Sequence, residues 1–252
     1  SWPTIPTHAA LLPDSTLITW YSRDTDGTTR IRDYNDQDLH NFTVVDLWDV
    51  NTNSHSRVDN TTTDLFCSGF TLNSEGNLYV AGGNLGSSDT GFYPGSKFTN
   101  IFDVTQRTWE KGPDMSEGRW YPSVISLPNK ELLMMGGDSN ETTLHNFIPD
   151  VWNPSTNTLR RLLGASSEDR DMHSFYPWLH VAPNGQVFYS GSSHDMAYLD
   201  TTGQGEWSEV YERDSLHRGY GSSVMFEPGK ILVMGGGGNT KSAVTIDLSS
   251  GV

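Results

Sequence analysis

The chain has 252 residues, 35% of them hydrophobic, 11% aromatic and 19% charged, a composition typical of a globular protein rather than a disordered one. Its longest apolar stretches are about eight residues, against the roughly 20 that span a bilayer, so no membrane-spanning segment is predicted. Lys and Arg total 16 and Asp and Glu total 31, and the net charge of −15 argues against nucleic acid as a partner, because phosphate backbones would be repelled.

One pattern recurs along the chain. Each copy consists of an apolar segment, a tight turn, a second apolar segment and, in most copies, glycines. In chain order the copies are HAALLPDSTLITW from His8, CSGFTLNSEGNLYVAGG from Cys67, YPSVISLPNKELLMMGG from Tyr121, YPWLHVAPNGQVFYSG from Tyr176 and YGSSVMFEPGKILVMGGGG from Tyr220. Pro, Asn, Asp and Gly between β-branched and aromatic residues predict a β-hairpin in each copy.

Further strands are predicted after each hairpin, such as NIFDVTQRTW from Asn100 and DVWNPSTNT from Asp150, and several copies add a fourth strand. Four antiparallel strands in a repeat of about 50 residues with paired glycines indicate a kelch-type β-propeller, whereas a β-sandwich would give no reason for the period. We therefore predict an all-β kelch-type propeller throughout the chain. The approximate blades are 1–64, 65–118, 119–172, 173–216 and 217–252.

The fifth predicted blade lacks a fourth strand, which would leave a sheet edge unpaired. We therefore expect the five blades to be part of a longer ring, predicted to have seven blades. A closing strand taken from the N-terminal segment is the alternative.

Cys67, Tyr121, Tyr176 and Tyr220 occupy equivalent positions, six to eight residues before the turn of their hairpin. These positions lie at one end of a propeller channel. Cys67 belongs to the second blade and Tyr121 to the third, so we expect only Tyr121 to meet the thiol, with Tyr176 and Tyr220 one and two blades further away. As the single cysteine, Cys67 can form no internal disulfide; a small buried apolar residue is the simplest interpretation, and an intermolecular bridge or a reactive thiol stays open.

The segments LFCSGFTLNSEGNLYVAGGN and EGRWYPSVISLPNKELLMMGGDSN resemble the copper radical oxidases, the galactose oxidase and glyoxal oxidase family, and RWYPS is nearer to the glyoxal oxidase branch. The resemblance implies that Cys67 is joined by a thioether to Tyr121, and that Tyr121 binds copper and bears a radical. It also implies oxidation of a small aldehyde or primary alcohol by O2, with release of hydrogen peroxide. The two would then be the catalytic and cofactor residues.

The family's axial tyrosine, followed directly by a histidine, and its second histidine ligand are not identifiable in this sequence. In the family they belong to later blades and to a C-terminal β-sandwich domain. We therefore expect this chain to carry part of the copper site, to need a missing C-terminal portion, and to be inactive alone.

Arg119 and Trp120 precede Tyr121 and are predicted substrate contacts for an anionic or carbonyl group; a Trp that anchors the seam between blades is the alternative. Most of the eight histidines look structural, and no pair has a spacing that would place both on one metal.

Sequons at Asn41, Asn60 and Asn140 permit N-glycosylation, and we expect a secreted protein in its mature form. The alternative to an oxidase is a kelch-type binding or structural module in which Cys67 and Tyr121 merely pack. A lone cysteine at the channel end of the blade next to the tyrosine favours the oxidase.

Overall fold

The computed structural model describes residues 2–3, 5–21, 42–85, 94–139, 145–170, 172 and 175–250. Within these residues, 19 strands form five small antiparallel sheets in which consecutive strands are neighbours. The first sheet contains β1 to β4, at His8–Leu11, Thr16–Tyr21, Val44–Asp49 and Ser54–Arg57. The second contains β5 to β8, at Gly69–Leu72, Leu78–Ala81, Thr99–Asp103 and Thr108–Lys111.

The third sheet contains β9 to β12, at Ser123–Ser126, Leu132–Met135, Asp150–Asn153 and Thr158–Arg161. The fourth contains β13 to β16, at Leu179–Val181, Val187–Tyr189, Asp195–Asp200 and Glu206–Glu212. The fifth contains β17 to β19, at Ser222–Glu227, Lys230–Met234 and Ala243–Asp247. Short 3-10 turns lie at Leu163–Ala165 and Leu248–Ser250.

The hairpin turns form as their residues predict. Asn73 follows β5, and its side-chain oxygen accepts hydrogen bonds from the backbone N–H groups of Glu75 and Asn77 at 3.0 and 2.9 Å. Gly76 has a φ of 85°, which a residue with a Cβ adopts only at a cost. The side chain of Asn73 thus provides an acceptor for two backbone N–H groups of the turn.

The sheets pack face to face, and each pair of consecutive sheets shares an apolar cluster. Side chains alternate between the two faces of a strand. In β10, Leu132 and Met134 therefore pack against the second sheet, and Leu133 and Met135 against the fourth. Burial on both faces explains why the inner strands read as unbroken apolar runs, and the arrangement confirms the predicted all-β propeller. The kelch type and the seven-bladed ring stay predictions.

The first strands of all five sheets line one cavity of about 290 Å³, which includes His8, Phe70, Val124, His180 and Ser223. Neighbouring first strands approach closely: a Cβ added to Gly69 would lie 2.5 Å from the carbonyl oxygen of Pro122. The strand starts of adjacent sheets therefore converge around this cavity.

The Asn60 sequon is not available in the folded chain. Asn60 is fully buried, and its amide donates a hydrogen bond to Asn100 Oδ1 at 3.0 Å. Asn41 and Asn140 lie outside the described residues. Among the described residues, no helix has the length and apolar character needed to cross a membrane.

Candidate functional site

The four aligned residues at the starts of the sheets share one backbone conformation. The φ angles of Cys67, Tyr121, Tyr176 and Tyr220 are 63°, 67°, 44° and 62°. The left-handed region costs a residue with a Cβ roughly 1–2 kcal/mol, so surrounding contacts must hold each of them there. Such residues are concentrated at functional sites, which makes this repeated position a candidate site.

Main-chain hydrogen bonds join three of these residues in sequence. The N–H of Tyr121 donates to the carbonyl of Cys67 at 2.9 Å, and the N–H of Tyr176 donates to the carbonyl of Tyr121 at 2.7 Å. Tyr176, predicted to lie one blade further along than Tyr121, therefore contacts Tyr121 directly. Because the strand starts converge, residues that are one blade apart along the ring touch here.

The Cys67 thiol is buried, with 3% of the residue exposed. Burial raises the pKa of the thiol to about 12, and hydrogen bonds with the side chains of Tyr121 and Trp120 offset part of that rise. Cys67 is therefore a neutral thiol at neutral pH rather than a reactive thiolate. Its sulfur is within hydrogen-bonding reach of the side chain of Tyr121.

The ring of Tyr121 lies between two other aromatic rings. Its centroid is 3.7 Å from that of Trp120 at an interplanar angle of 15°, and 4.7 Å from that of Tyr176 at 26°. Two nearly parallel rings at these distances fit only on opposite faces of Tyr121. Phe175 meets Trp120 and Tyr121 edge-on, with centroids 5.7 and 5.6 Å away. Both faces of the phenol are thus covered by protein.

Arg119, which the sequence analysis predicts as a substrate contact, makes internal structural contacts. It is fully buried and pairs with Asp150 at 2.5 Å. It also donates hydrogen bonds to the carbonyls of Gly136 at 2.8 Å and Ile148 at 2.5 Å. Arg119 therefore ties the segment before Tyr121 to the strands of its own sheet.

A polar pair lies beyond Phe175. The ring of His145 is 5.6 Å from that of Phe175 and hydrogen-bonds to the carboxylate of Asp138. Burial raises the pKa of Asp138, and the bond to His145 partly offsets that rise. The backbone of Asp138 pairs with that of Trp120, which links this pair to the aromatic stack.

A second polar neighbour comes from the first sheet. The backbone N–H of Cys67 donates to Nε2 of His8 at 3.0 Å. The His8 ring stacks on Trp20, with centroids 5.1 Å apart and planes 12° apart. The sequence gives no local signal for this contact, because His8 and Cys67 belong to different repeats.

His194 and His217 form another contact that the sequence analysis missed. Their ring centroids are 4.0 Å apart, and Nδ1 of His194 donates to the carbonyl of Asp214 at 2.8 Å. Spacing along the sequence did not indicate that these two rings meet.

Tyr121 supplies one phenol oxygen that is suited to a metal ion. Among the described residues, no group of three or more His, Cys, Asp or Glu side chains could hold a metal. Cu(II) prefers several nitrogen and oxygen donors in a tetragonal arrangement. The described residues thus fit part of a copper site and do not complete one.

Comparisons with known proteins identify the family of the chain. A family model described as the glyoxal oxidase N-terminus matches residues 26–198, which is more than half of the chain. Galactose oxidase from Gibberella zeae is 27% identical over 255 residues, covering 93% of this chain and 34% of that protein. Aldehyde oxidase GLOX from Vitis pseudoreticulata is 29% identical over 185 residues, covering 71% of this chain and 33% of that protein. The chain thus spans about a third of the length of these curated relatives.

A solved structure of a fungal alcohol oxidase of the AA5 family, in complex with copper, has the same fold. It superposes with a TM-score of 0.77 at 24% identity, covering 94% of this chain and 48% of that one. The family match and the propeller fold lead to one conclusion: the chain belongs to the glyoxal oxidase and galactose oxidase family of copper radical oxidases.

Proposed function

We propose that this chain is the propeller portion of a secreted copper radical oxidase that converts small aldehydes or primary alcohols with O2 and releases hydrogen peroxide. The contact between Cys67 and Tyr121 carries the proposal. The single cysteine of the chain is buried against a phenol whose ring is covered on both faces. The names of the relatives, a galactose oxidase and an aldehyde oxidase, agree with the proposed substrate classes.

The two side chains would form a thioether. The S–H bond of Cys67 and a ring C–H bond of Tyr121 break, and a carbon–sulfur bond forms. Two protons and two electrons leave and reduce O2 to hydrogen peroxide, which balances the step. Burial keeps the thiol protonated, so its proton is one of the two released.

The modified phenol would store one oxidising equivalent. Oxidation of an alcohol removes two electrons, and copper, when bound, accepts one and offers a place for the substrate oxygen. Sulfur on the ring of Tyr121 eases loss of the other electron, as neighbouring groups tune redox sites elsewhere. Trp120 and Tyr176 cover the ring faces and would keep water from the oxidised phenol.

We infer that the other copper ligands and the rest of the ring come from a portion of the protein outside the described residues. Tyr121 supplies one ligand, and a copper site needs several. Val224 and Phe226 of β17 are 47% and 51% exposed, which supports packing of a further blade against the fifth sheet.

The decisive experiment uses the full-length protein, purified without copper and then exposed to Cu(II) and air. We expect an intact mass lower by two hydrogen atoms, loss of alkylation at Cys67, and one cross-linked peptide that contains Cys67 and Tyr121. Free alkylation of Cys67 after this treatment would contradict the proposal and favour a non-catalytic module.

Three variants complete the experiment. Cys67→Ser and Tyr121→Phe should each abolish the mass change and the release of peroxide from small aldehydes and primary alcohols. Tyr220→Phe is the matched control, because Tyr220 shares the backbone conformation of Tyr121 but is 99% exposed. It should leave the cross-link unchanged.

A further inference from the structure

We propose that His8 is a positioning residue for thioether formation. By accepting a hydrogen bond from the backbone N–H of Cys67, it fixes the orientation of the Cys67 side chain. This inference rests on the proposed function. The bond of 3.0 Å runs between the first sheet, where His8 begins β1, and the start of the second sheet.

Cys67 needs such a partner because of its backbone. Its φ of 63° is unfavourable for a residue with a Cβ, and the residue is buried. A buried N–H without an acceptor destabilises the folded state. His8 accepts a hydrogen bond from this N–H, and the carbonyl of Cys67 accepts one from the N–H of Tyr121. Both peptide groups beside the Cα atom are therefore held, and the side chain of Cys67 is directed toward Tyr121.

The His8 ring is itself held in place. It stacks on Trp20 and meets Phe66 and Phe70 edge-on, with centroids 6.1 and 6.0 Å away. Because Nε2 accepts a hydrogen bond, the ring proton resides on Nδ1. Burial lowers the pKa of His8 to about 4, so the ring stays neutral and keeps Nε2 as an acceptor at neutral pH.

The test compares how fast Cys67 becomes resistant to alkylation in the full-length protein after addition of Cu(II) in air. His8→Phe keeps an aromatic ring beside Trp20 and removes the acceptor. We expect its cross-linking to be about tenfold slower, because a less well oriented Cys67 side chain raises the activation free energy of the step slightly. His8→Gln should restore most of the rate, because its side-chain oxygen is separated from Cα by the same number of bonds as Nε2.

His180→Phe is the matched control. His180 lines the same cavity, and burial lowers its pKa to about 4 as well, but its Nε2 bonds with Ser223 Oγ at 2.8 Å. It should cross-link at the wild-type rate. A structural role alone would slow both phenylalanine variants alike and would not be rescued by glutamine.

A wild-type rate in folded His8→Phe overturns the inference, and so does equal slowing in His180→Phe. Should His8→Phe not fold, amide hydrogen exchange of the copper-free wild-type protein decides. Slow exchange at Cys67, together with cross-linking in His8→Gln, supports the inference, and exchange as fast as at exposed amides overturns it. No cross-link in the wild-type protein would instead refute the proposed function, and this inference would fall with it.

Discussion

Tyr176 covers the face of the Tyr121 ring that Trp120 leaves open. This position gives it a testable role in protecting an oxidised phenol. In the cross-linked full-length protein, Tyr176→Leu should shorten the lifetime of oxidised Tyr121 several-fold, because one ring face becomes open to water. Tyr176→Phe keeps the ring and should have little effect. The decay of the optical absorption of the oxidised phenol measures the lifetime.

Tyr198→Leu is the control for loss of an aromatic ring in the same sheet. Tyr198 contacts Phe188 at a centroid distance of 4.9 Å and belongs to β15. Equal decay rates in Tyr176→Leu and the wild-type protein would show that Tyr176 only fills space.

Arg119 and Arg218 show how a charged residue beside a sheet start can be structural. Both are fully buried, and both donate to the carbonyl of a glycine that follows the second strand of their sheet, Gly136 or Gly235. The fixed, planar set of donors in a guanidinium suits several carbonyls at once. Their shared arrangement indicates a repeated structural device rather than substrate recognition.

Removal of Arg119 should therefore reduce stability before it affects catalysis. Arg119→Ala leaves Asp150 as a buried charge without its partner, and we expect a loss of about 3–5 kcal/mol in the free energy of unfolding, measured with urea. Arg107→Ala removes a surface pair with Asp14 and should cost about 1 kcal/mol or less. Normal stability with weakened substrate binding in Arg119→Ala would instead favour the predicted substrate contact.

At the scale of elements, the end of β6 shows why glycine is needed between neighbouring blades. Gly82 has a φ of 76°, and an added Cβ would lie 2.3 Å from the carbonyl oxygen of Arg119. Gly82→Ala should thus combine backbone strain with displacement of the segment before Tyr121. We expect the free energy of unfolding to fall by more than about 2 kcal/mol.

Gly203→Ala provides the comparison for strain alone. Gly203 has a φ of 55°, and an added Cβ meets nothing within 4 Å. It should cost roughly 1 kcal/mol. Similar losses in the two variants, by urea unfolding, would show that the contact with Arg119 relaxes easily.

The sequence predicted elements better than contacts. The run LLMM of β10 and the Asn-containing turn at Asn73 are local features, and their period and turn chemistry determine a strand and a hairpin. The approach of His8 to Cys67 is not local. It depends on how closely the first strands converge, which repeat spacing does not report.

Burial was the other property that the sequence could not supply. Arg119 and Asn60 are polar residues in segments that read as accessible, yet both are fully buried and hydrogen-bonded. Alignment of the repeats identified Cys67, Tyr121 and Tyr176 as equivalent. It did not predict that Tyr176 stacks on Tyr121, because a count of blades along the ring does not report the narrow space at their inner ends.

At the scale of the whole molecule, the contact between Cys67 and Tyr121 also has a mechanical meaning. It lies where the second sheet meets the third, and this sequence has no second cysteine for a disulfide. A thioether here would close a loop of about fifty residues and, by the chain-entropy relation for cross-links, would disfavour the unfolded state by about 4 kcal/mol. Urea unfolding of the protein before and after cross-linking should reveal this difference, whereas copper treatment of Cys67→Ser should not.

An unchanged unfolding free energy would mean that the linked segments stay together even in the unfolded chain. If the difference is found, formation of the thioether is also an irreversible step that stabilises the fold. A reducing agent that opens disulfides cannot reverse a carbon–sulfur bond. Two blades of the ring would then remain covalently linked for the lifetime of the protein.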